Sequence, residues 1–221
     1  MLWGIVRVKR VAVLFENDDC LVLNKPAGLA VQGGKGVGVS LDFLLSDEWS
    51  PRPLLVHRLD KDTSGLILAA KTAAAAARFS ALFAGEGRRL VRKQYLAVCA
   101  GRPEPEAGRI KTELEIRGKG KYAETGYRVV SVKAGFSLLE LELGTGRMHQ
   151  IRRHLALIGH PVLGDDKYGD FTLNKELRRT GGLRRLLLHS FRLIIRAEAL
   201  GYPLDVLAPL PEYFSSFANP G

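Results

Sequence analysis

Two stretches of this chain alternate residue by residue, and they restrict its fold more than any other feature. In RIKTELEI (109–116), Ile110, Thr112, Leu114 and Ile116 face one way, and Lys111, Glu113 and Glu115 face the other. In FSLLELEL (136–143), Leu139, Leu141 and Leu143 face in, and Glu140 and Glu142 face out. ETGYRVVSV (124–132) lies between them in the same style. A period of two sets one face on a core and the other in water, as in an antiparallel, half-solvated sheet. The predicted fold class is therefore α+β, with a mostly antiparallel sheet, and not a doubly wound parallel sheet. At 221 residues the chain is long enough to bury a real core and is expected to form one domain over 1–221.

Other elements follow from shorter signals. VAVLF (11–15) and CLVLN (20–24) flank a polar turn and predict a strand pair, and LILAA (66–70) and QYLAVCAG (94–101) predict further strands. Ser40 is placed to cap a helix over LDFLLSDE, and Thr72 to cap an alanine-rich helix running to Phe83, with Gly85 and Gly87 ending it. The glycine-rich run KPAGLAVQGGKGVGVS (25–40) is not a P-loop. Gly28 and Gly33 have the spacing, but Gly34 stands where lysine is required. It is expected to be a mobile loop near a ligand.

Thirty-three Lys and Arg against 23 Asp and Glu give a formal net charge of +10, which points to a polyanionic partner. No apolar run approaches the ~20 residues of a membrane span. The N-terminal MLWGIVRVKRVAVLF carries charges that spoil a signal peptide. Cys20 and Cys99 sit in apolar settings without CxxC spacing, as buried thiols of a cytoplasmic protein would.

Two junctions concentrate charge beside apolar segments. In VHRLDKDTSGLILAAKT (56–72), His57 and Arg58 precede Asp60 and Asp62, and Thr63, Ser64 and Gly65 make a small-residue turn before a strand. In GTGRMHQIRRHLALIGHPVLGDDKYG (144–169), Met148, Ile151, Leu155 and Ile158 form an apolar stripe that Gly159 and Pro161 end. Its flanks carry Arg147, His149, Gln150, Arg152, Arg153 and His154. Cations at a helix start oppose the macrodipole, a cost explained if they face phosphates or a buried carboxylate. His149 and His154 lie about 500° apart on a helix. HExxH is absent too, so no metal site is expected. Ser64 lacks the GxSxG elbow of a hydrolase.

Together the junctions carry a family resemblance. HRLDKDTSGLILAAKT resembles the signature of the RluA-type RNA pseudouridine synthases. LVLNKPAGLAV, VRKQYLAVCAG, GRMHQIRRHLALIGHPVLGDDKYG and LLLHSFRL resemble that family's other motifs, in order, over about residues 15–195. AVQGGKG is similar to the branch acting on large-subunit ribosomal RNA. The resemblance implies a curved, mostly antiparallel sheet with flanking helices and a central RNA-binding cleft. It also implies isomerisation of uridine to pseudouridine, in ribosomal RNA first and transfer RNA second.

By the same resemblance Asp60 is the catalytic aspartate, Tyr95 the active-site tyrosine and Arg152 the arginine that pairs with the aspartate. Arg58 takes the space of a flipped base, and Leu188 lines the base pocket. His57, Leu59, Thr63, Arg147, His149 and Gln150 complete the expected substrate site. Spacing alone does not choose Asp60 over Asp62. Isomerisation is redox-neutral, so no cofactor is expected. The chain is expected to act as a monomer, with RNA as partner and no membrane. Many relatives carry an N-terminal S4-like module, which is not expected here. Two rivals stay open: a non-catalytic RNA-binding or ribosome assembly factor on the same fold, and an unrelated hydrolase using Asp60 and a histidine.

Overall fold

The computed structural model describes residues 11–34, 38–116 and 118–218. Its strands are β1 (Ala12–Glu16), β2 (Cys20–Lys25), β3 (Leu54–Leu55), β4 (Ser64–Ala70) and β5 (Val91–Ala100), then β6 (Ala107–Ile116), β7 (Lys119–Lys133), β8 (Phe136–Leu143), β9 (Leu188–Ile195) and β10 (Leu204–Leu207). They form one ten-stranded sheet in the order β1-β2-β4-β9-β5-β8-β7-β6, with β3 beside β4 and β10 beside β9. The alternating stretches become the β6–β7–β8 meander. Ile110 and Leu114 are buried in β6, and Leu139 and Leu141 in β8, while their neighbours face outward.

The local pattern does not reveal the middle of the sheet. β9 pairs antiparallel with β5 and β10 but parallel with β4, through Ser64↔His189 and Gly65↔Ser190. A Cβ on Gly65, which has φ +106°, would lie 2.1 Å from the Ser190 carbonyl oxygen, so only glycine fits this contact. The strand therefore begins at Ser64, two residues before the predicted start, and the turn is made by Lys61 and Asp62.

Both faces of the central strands are covered. In β2 and β4, Leu21, Leu23, Ile67 and Ala69 pack with α1 (Leu41–Glu48) and α3 (Gln150–Leu157). Val22, Leu66 and Leu68 pack on the other side with Phe79 and Leu82 of α2 (Ala73–Phe83). Double burial explains why these antiparallel strands are continuous apolar runs. Ser40 and Thr72 cap as expected, accepting from Phe43 and Ala75 N–H at 3.3 and 3.1 Å. Each such cap contributes ~1 kcal/mol.

α2 runs to Phe83, as expected, with Ala84 as its C-cap, and a 3-10 turn over Gly85–Leu90 follows. Two further expectations are corrected. The stripe of α3 is Ile151, Leu155 and Ile158, because Met148 precedes the helix and is 45% exposed. The first part of the glycine-rich run is fastened down: Gly28 N–H donates to the Lys61 carbonyl at 2.9 Å, and Ala30 bridges to Ser40. Its residues 35–37, like 1–10 of the N-terminal stretch, lie outside the described residues.

Candidate active site

The loop carrying Asp60 is held from below by Lys25. That side chain is fully buried, and its ammonium donates to the carbonyls of Pro26, Leu29 and Lys61 at 2.9–3.0 Å. Burial pulls its pKa down to about 8, against the pull of Asp62 and Asp60. Thr63 N–H donates to the Asp60 carbonyl at 3.2 Å and closes the turn. A buried cation with every proton bonded to backbone is a rigid pin, since unbonded it would cost several kcal/mol. The sequence placed this lysine in a mobile loop.

The turn separates its two carboxylates. Asp60 enters a cavity of about 470 Å³, whereas Asp62 faces a second, smaller pocket on the other side of Arg152. All the expected site residues line the larger cavity: Asp60, Tyr95 and Arg152, with His57, Arg58, Leu59, Thr63, Arg147, His149, Gln150 and Leu188. Six lysines and arginines line it, and Asp60 is its one carboxylate among the described residues.

Asp60 is close to two positive or potentially positive groups without being tied to either. Its oxygens lie 4.0 Å from Arg152 Nη1 and 3.8 Å from His149 Nε2, beyond hydrogen-bond range. Among the described residues no side chain donates a hydrogen bond to it. Its lone pairs stay available beside the free edge of the Arg152 guanidinium.

Arg152 stands within ion-pair range of Asp60, as expected, but its short bonds go elsewhere. Arg152 donates from Nε and Nη2 to both oxygens of Asp165 at 2.7 Å, a fully buried fork. Asp165 also accepts from the N–H groups of Lys167 and Tyr168 at 2.9 Å. Burial pushes its pKa up, but the Arg152 bonds, the two backbone donors and the guanidinium charge bring it below the usual carboxylate range. Gly164 makes this loop possible: at φ +77° a Cβ would lie 2.1 Å from the Arg185 carbonyl. With Arg152 anchored to Asp165, only its free edge faces Asp60.

His149 caps α3 in the left-handed region, at φ 52° and ψ 28°, an uncommon conformation for a non-glycine residue. Its ring meets the Tyr168 hydroxyl at 3.1 Å, and Tyr168 in turn lies under the Arg152 guanidinium at 5.3 Å. Burial lowers the His149 pKa, against the pull of Asp60. Tyr95 is 5% exposed, touches the Ser190 side chain and has its pKa raised chiefly by burial, so its hydroxyl keeps its proton. Thr63 is buried, and its hydroxyl has no protein partner. Leu59 and Leu188 are apolar walls, 6% and 3% exposed.

Two expected substrate contacts have other work. The Gln150 amide donates to Glu124 O and Thr125 Oγ1 and accepts from Thr145 Oγ1 and Arg147 N–H, which saturates it. It shapes the Arg147 turn, and Arg147 Nε reaches the Tyr122 carbonyl at 3.2 Å. His57 Nε2 accepts the Leu68 N–H at 2.9 Å, and the ring packs on Phe83 at 4.4 Å. Burial and then Lys93 push its pKa down to about 3. His57 therefore braces β4 as a neutral ring.

The sequence reading missed Asp165, Tyr168 and Lys93. Lys93 lines the cavity with Nζ 5.5 Å over Phe83, and burial and then Arg88 lower its pKa to about 8. Its signal was available, two residues before Tyr95 and on the same face of a strand. Asp165 gave only a generic polar loop, GDD. A buried arginine at Arg152 called for such a partner, but the loop offered two candidates. Among the described residues no helix is long and apolar enough to cross a membrane, and no cluster of metal-ligating side chains occurs.

Known proteins resemble this chain in sequence and fold. The RNA pseudouridylate synthase family model matches residues 19–157. "Ribosomal large subunit pseudouridine synthase C" of Rickettsia bellii is 35% identical over 92% of this chain and 69% of that protein. Its Escherichia coli namesake is 35% identical over 90% of this chain and 66% of that protein. The solved structure of Human RNA Pseudouridylate Synthase Domain Containing 4 superposes with a TM-score of 0.77 at 28% identity, covering 92% of this chain and 90% of the other. With the family model, the relatives and the fold in agreement, the chain belongs to the RNA pseudouridine synthase family, RluA type, and is an enzyme of that class.

Proposed function

We propose that this protein isomerises uridines in large-subunit ribosomal RNA, with Asp60 as the catalytic carboxylate. One observation carries the reading: a single carboxylate, with no side-chain hydrogen bond, stands in a cavity lined by six cationic side chains. The cations suit a polyanion, and the free lone pairs suit a nucleophile or base. The names of the Rickettsia and Escherichia coli relatives supply the ribosomal RNA class.

The reaction breaks the N1–C1′ bond, turns the uracil and joins C5 to C1′. The proton lost from C5 is balanced by one gained at N1. The uridine first leaves its stack, and Arg58, exposed at the cavity mouth, occupies the space it vacates. Leu59 and Leu188 enclose the base, the ring of Tyr95 gives it a face, and the Thr63 hydroxyl supplies a hydrogen bond. Asp60 acts at the sugar or the ring, with the free edge of Arg152 beside it. Burial keeps Tyr95 protonated, so its hydroxyl relays a proton by giving one and taking another in the same step.

The test is to incubate the protein with large-subunit ribosomal RNA and map pseudouridine, beside Asp60→Asn. Wild type is expected to modify discrete uridines. The variant should bind RNA within about tenfold, ~1.4 kcal/mol, and leave no product. Product from Asp60→Asn at wild-type rate refutes the assignment, and modification of transfer RNA alone refutes the substrate class.

A further inference from the structure

The second pocket, about 140 Å³, is separated from the active cavity by Arg152, which lines both. Arg178, Arg184 and Arg185 converge on it with Arg152, against the carboxylates of Asp62 and Asp166. Four guanidinium groups face two carboxylates. Arg178 and Arg184 make no ion pair among the described residues, and Arg152 is already bonded to Asp165 and lies 3.5 Å from Asp166. An isolated surface arginine needs no explanation. Three that converge beside a buried fourth outnumber the two carboxylates of the pocket, so a further anion between them offsets the remaining repulsion.

The pocket is also built to stay open. Arg185 donates to the Ala27 carbonyl at 3.1 Å, and a Cβ on Gly28 would lie 3.1 Å from its Nη1, so the pinned 26–29 loop fixes one guanidinium. Arg178 lies one turn beyond Asn174 on α4 (Phe171–Thr180). Asn174 is buried, accepts from Gly164 N–H and donates to the Asp165 carbonyl, at 2.8 and 2.9 Å. The loop that orients Arg152 therefore also locks the helix presenting Arg178. At roughly 30 Å³ per water the pocket has room for a few waters or one tetrahedral anion.

We infer that this pocket holds a phosphodiester of the RNA strand next to the target nucleotide. The inference rests on the function proposed above and adds a recognition site outside the catalytic cavity. Guanidinium forks match phosphate oxygens, and the shared wall at Arg152 lets one strand place a base in the first cavity and a backbone group in the second. The target is thus gripped on both sides of Arg152.

Arg178→Gln/Arg184→Gln tests this against Lys175→Gln/Arg179→Gln, which removes the same charge from positions of α4 that do not line the pocket. RNA binding across a salt series and steady-state pseudouridine formation are measured for both. The pocket variant is expected to raise KM at least tenfold with kcat within threefold, and to reduce the slope of log K against log salt by about 1, as for one phosphate contact. The control should stay within threefold of wild type. Asp62→Asn, which removes a negative charge from the pocket, should tighten binding severalfold. Equal losses in both double variants, an unchanged pocket variant, or a fall in kcat alone would each overturn the inference, as would weaker binding by Asp62→Asn. If wild type makes no pseudouridine, the proposed reaction fails instead, and the binding slopes still decide the pocket.

Discussion

Replacing Asp165 by Asn separates what holds Arg152 from what Arg152 does. The pair makes two 2.7 Å bonds between side chains only 4% and 0% exposed. Breaking a buried pair from one side strands the other charge and costs about 3–5 kcal/mol. For a chain of this length each kcal/mol moves Tm by roughly 2–4 °C, so the variant should melt roughly 6–20 °C earlier at pH 7. The folded Asp165 pKa lies below its unfolded value. Its contribution is therefore full above the unfolded pKa, near 4, and is lost as pH falls below it. The gap between wild type and variant should narrow in acid melts. Turnover, measured well below both melting points, should fall about a hundredfold as Arg152 loses its aim at Asp60. Arg152→Gln/Asp165→Asn removes both charges, so it should recover stability over Asp165→Asn while remaining inactive. An Asp165→Asn protein that melts within about 2 °C of wild type and keeps its turnover would refute the anchoring role.

Tyr95→Phe keeps the ring and loses the hydroxyl; RNA binding should hold within about threefold while turnover drops 10²-fold or more, read by single-turnover assay. Burial holds His57, His154 and His189 near 3, 4 and 4, below the ~6.5 of an unfolded chain. The unfolded chain then binds more protons, so stability in urea titrations should fall as pH drops from about 6.5 towards 4, by at most ~1.4 kcal/mol per unit per histidine. His154→Gln should flatten that slope. Lys25→Met removes the ammonium bonds to the Pro26, Leu29 and Lys61 carbonyls and leaves Lys61 only its Gly28 N–H; amide exchange should rise across residues 58–63, and turnover should fall more than RNA binding.

The sequence showed what depended on neighbours along the chain. Alternation located β6 and β8, side-chain oxygens located the caps, and the ordered motifs brought eleven residues to one cavity. Contacts between distant segments were not visible. Ser64 and Gly65 resemble a turn until β9 runs beside them. Gln150 and His57 resemble ligand-binding groups until Thr125 and Leu68 occupy their polar atoms. Asp60 and Asp62 are equivalent in spacing, and only the direction of the Lys61–Asp62 turn sends them into different pockets.

The central position of β9 also orders events during synthesis. The strands β1–β4 and β5–β8 emerge first, as two sheets whose facing edges only residues 188–195 can join. Open edges recruit foreign strands, so the nascent chain is most prone to self-association just before β9 arrives. The strand that closes the sheet also brings Leu188, part of the cavity wall. An incomplete chain therefore cannot modify RNA, and catalytic competence coincides with the disappearance of the sticky edges.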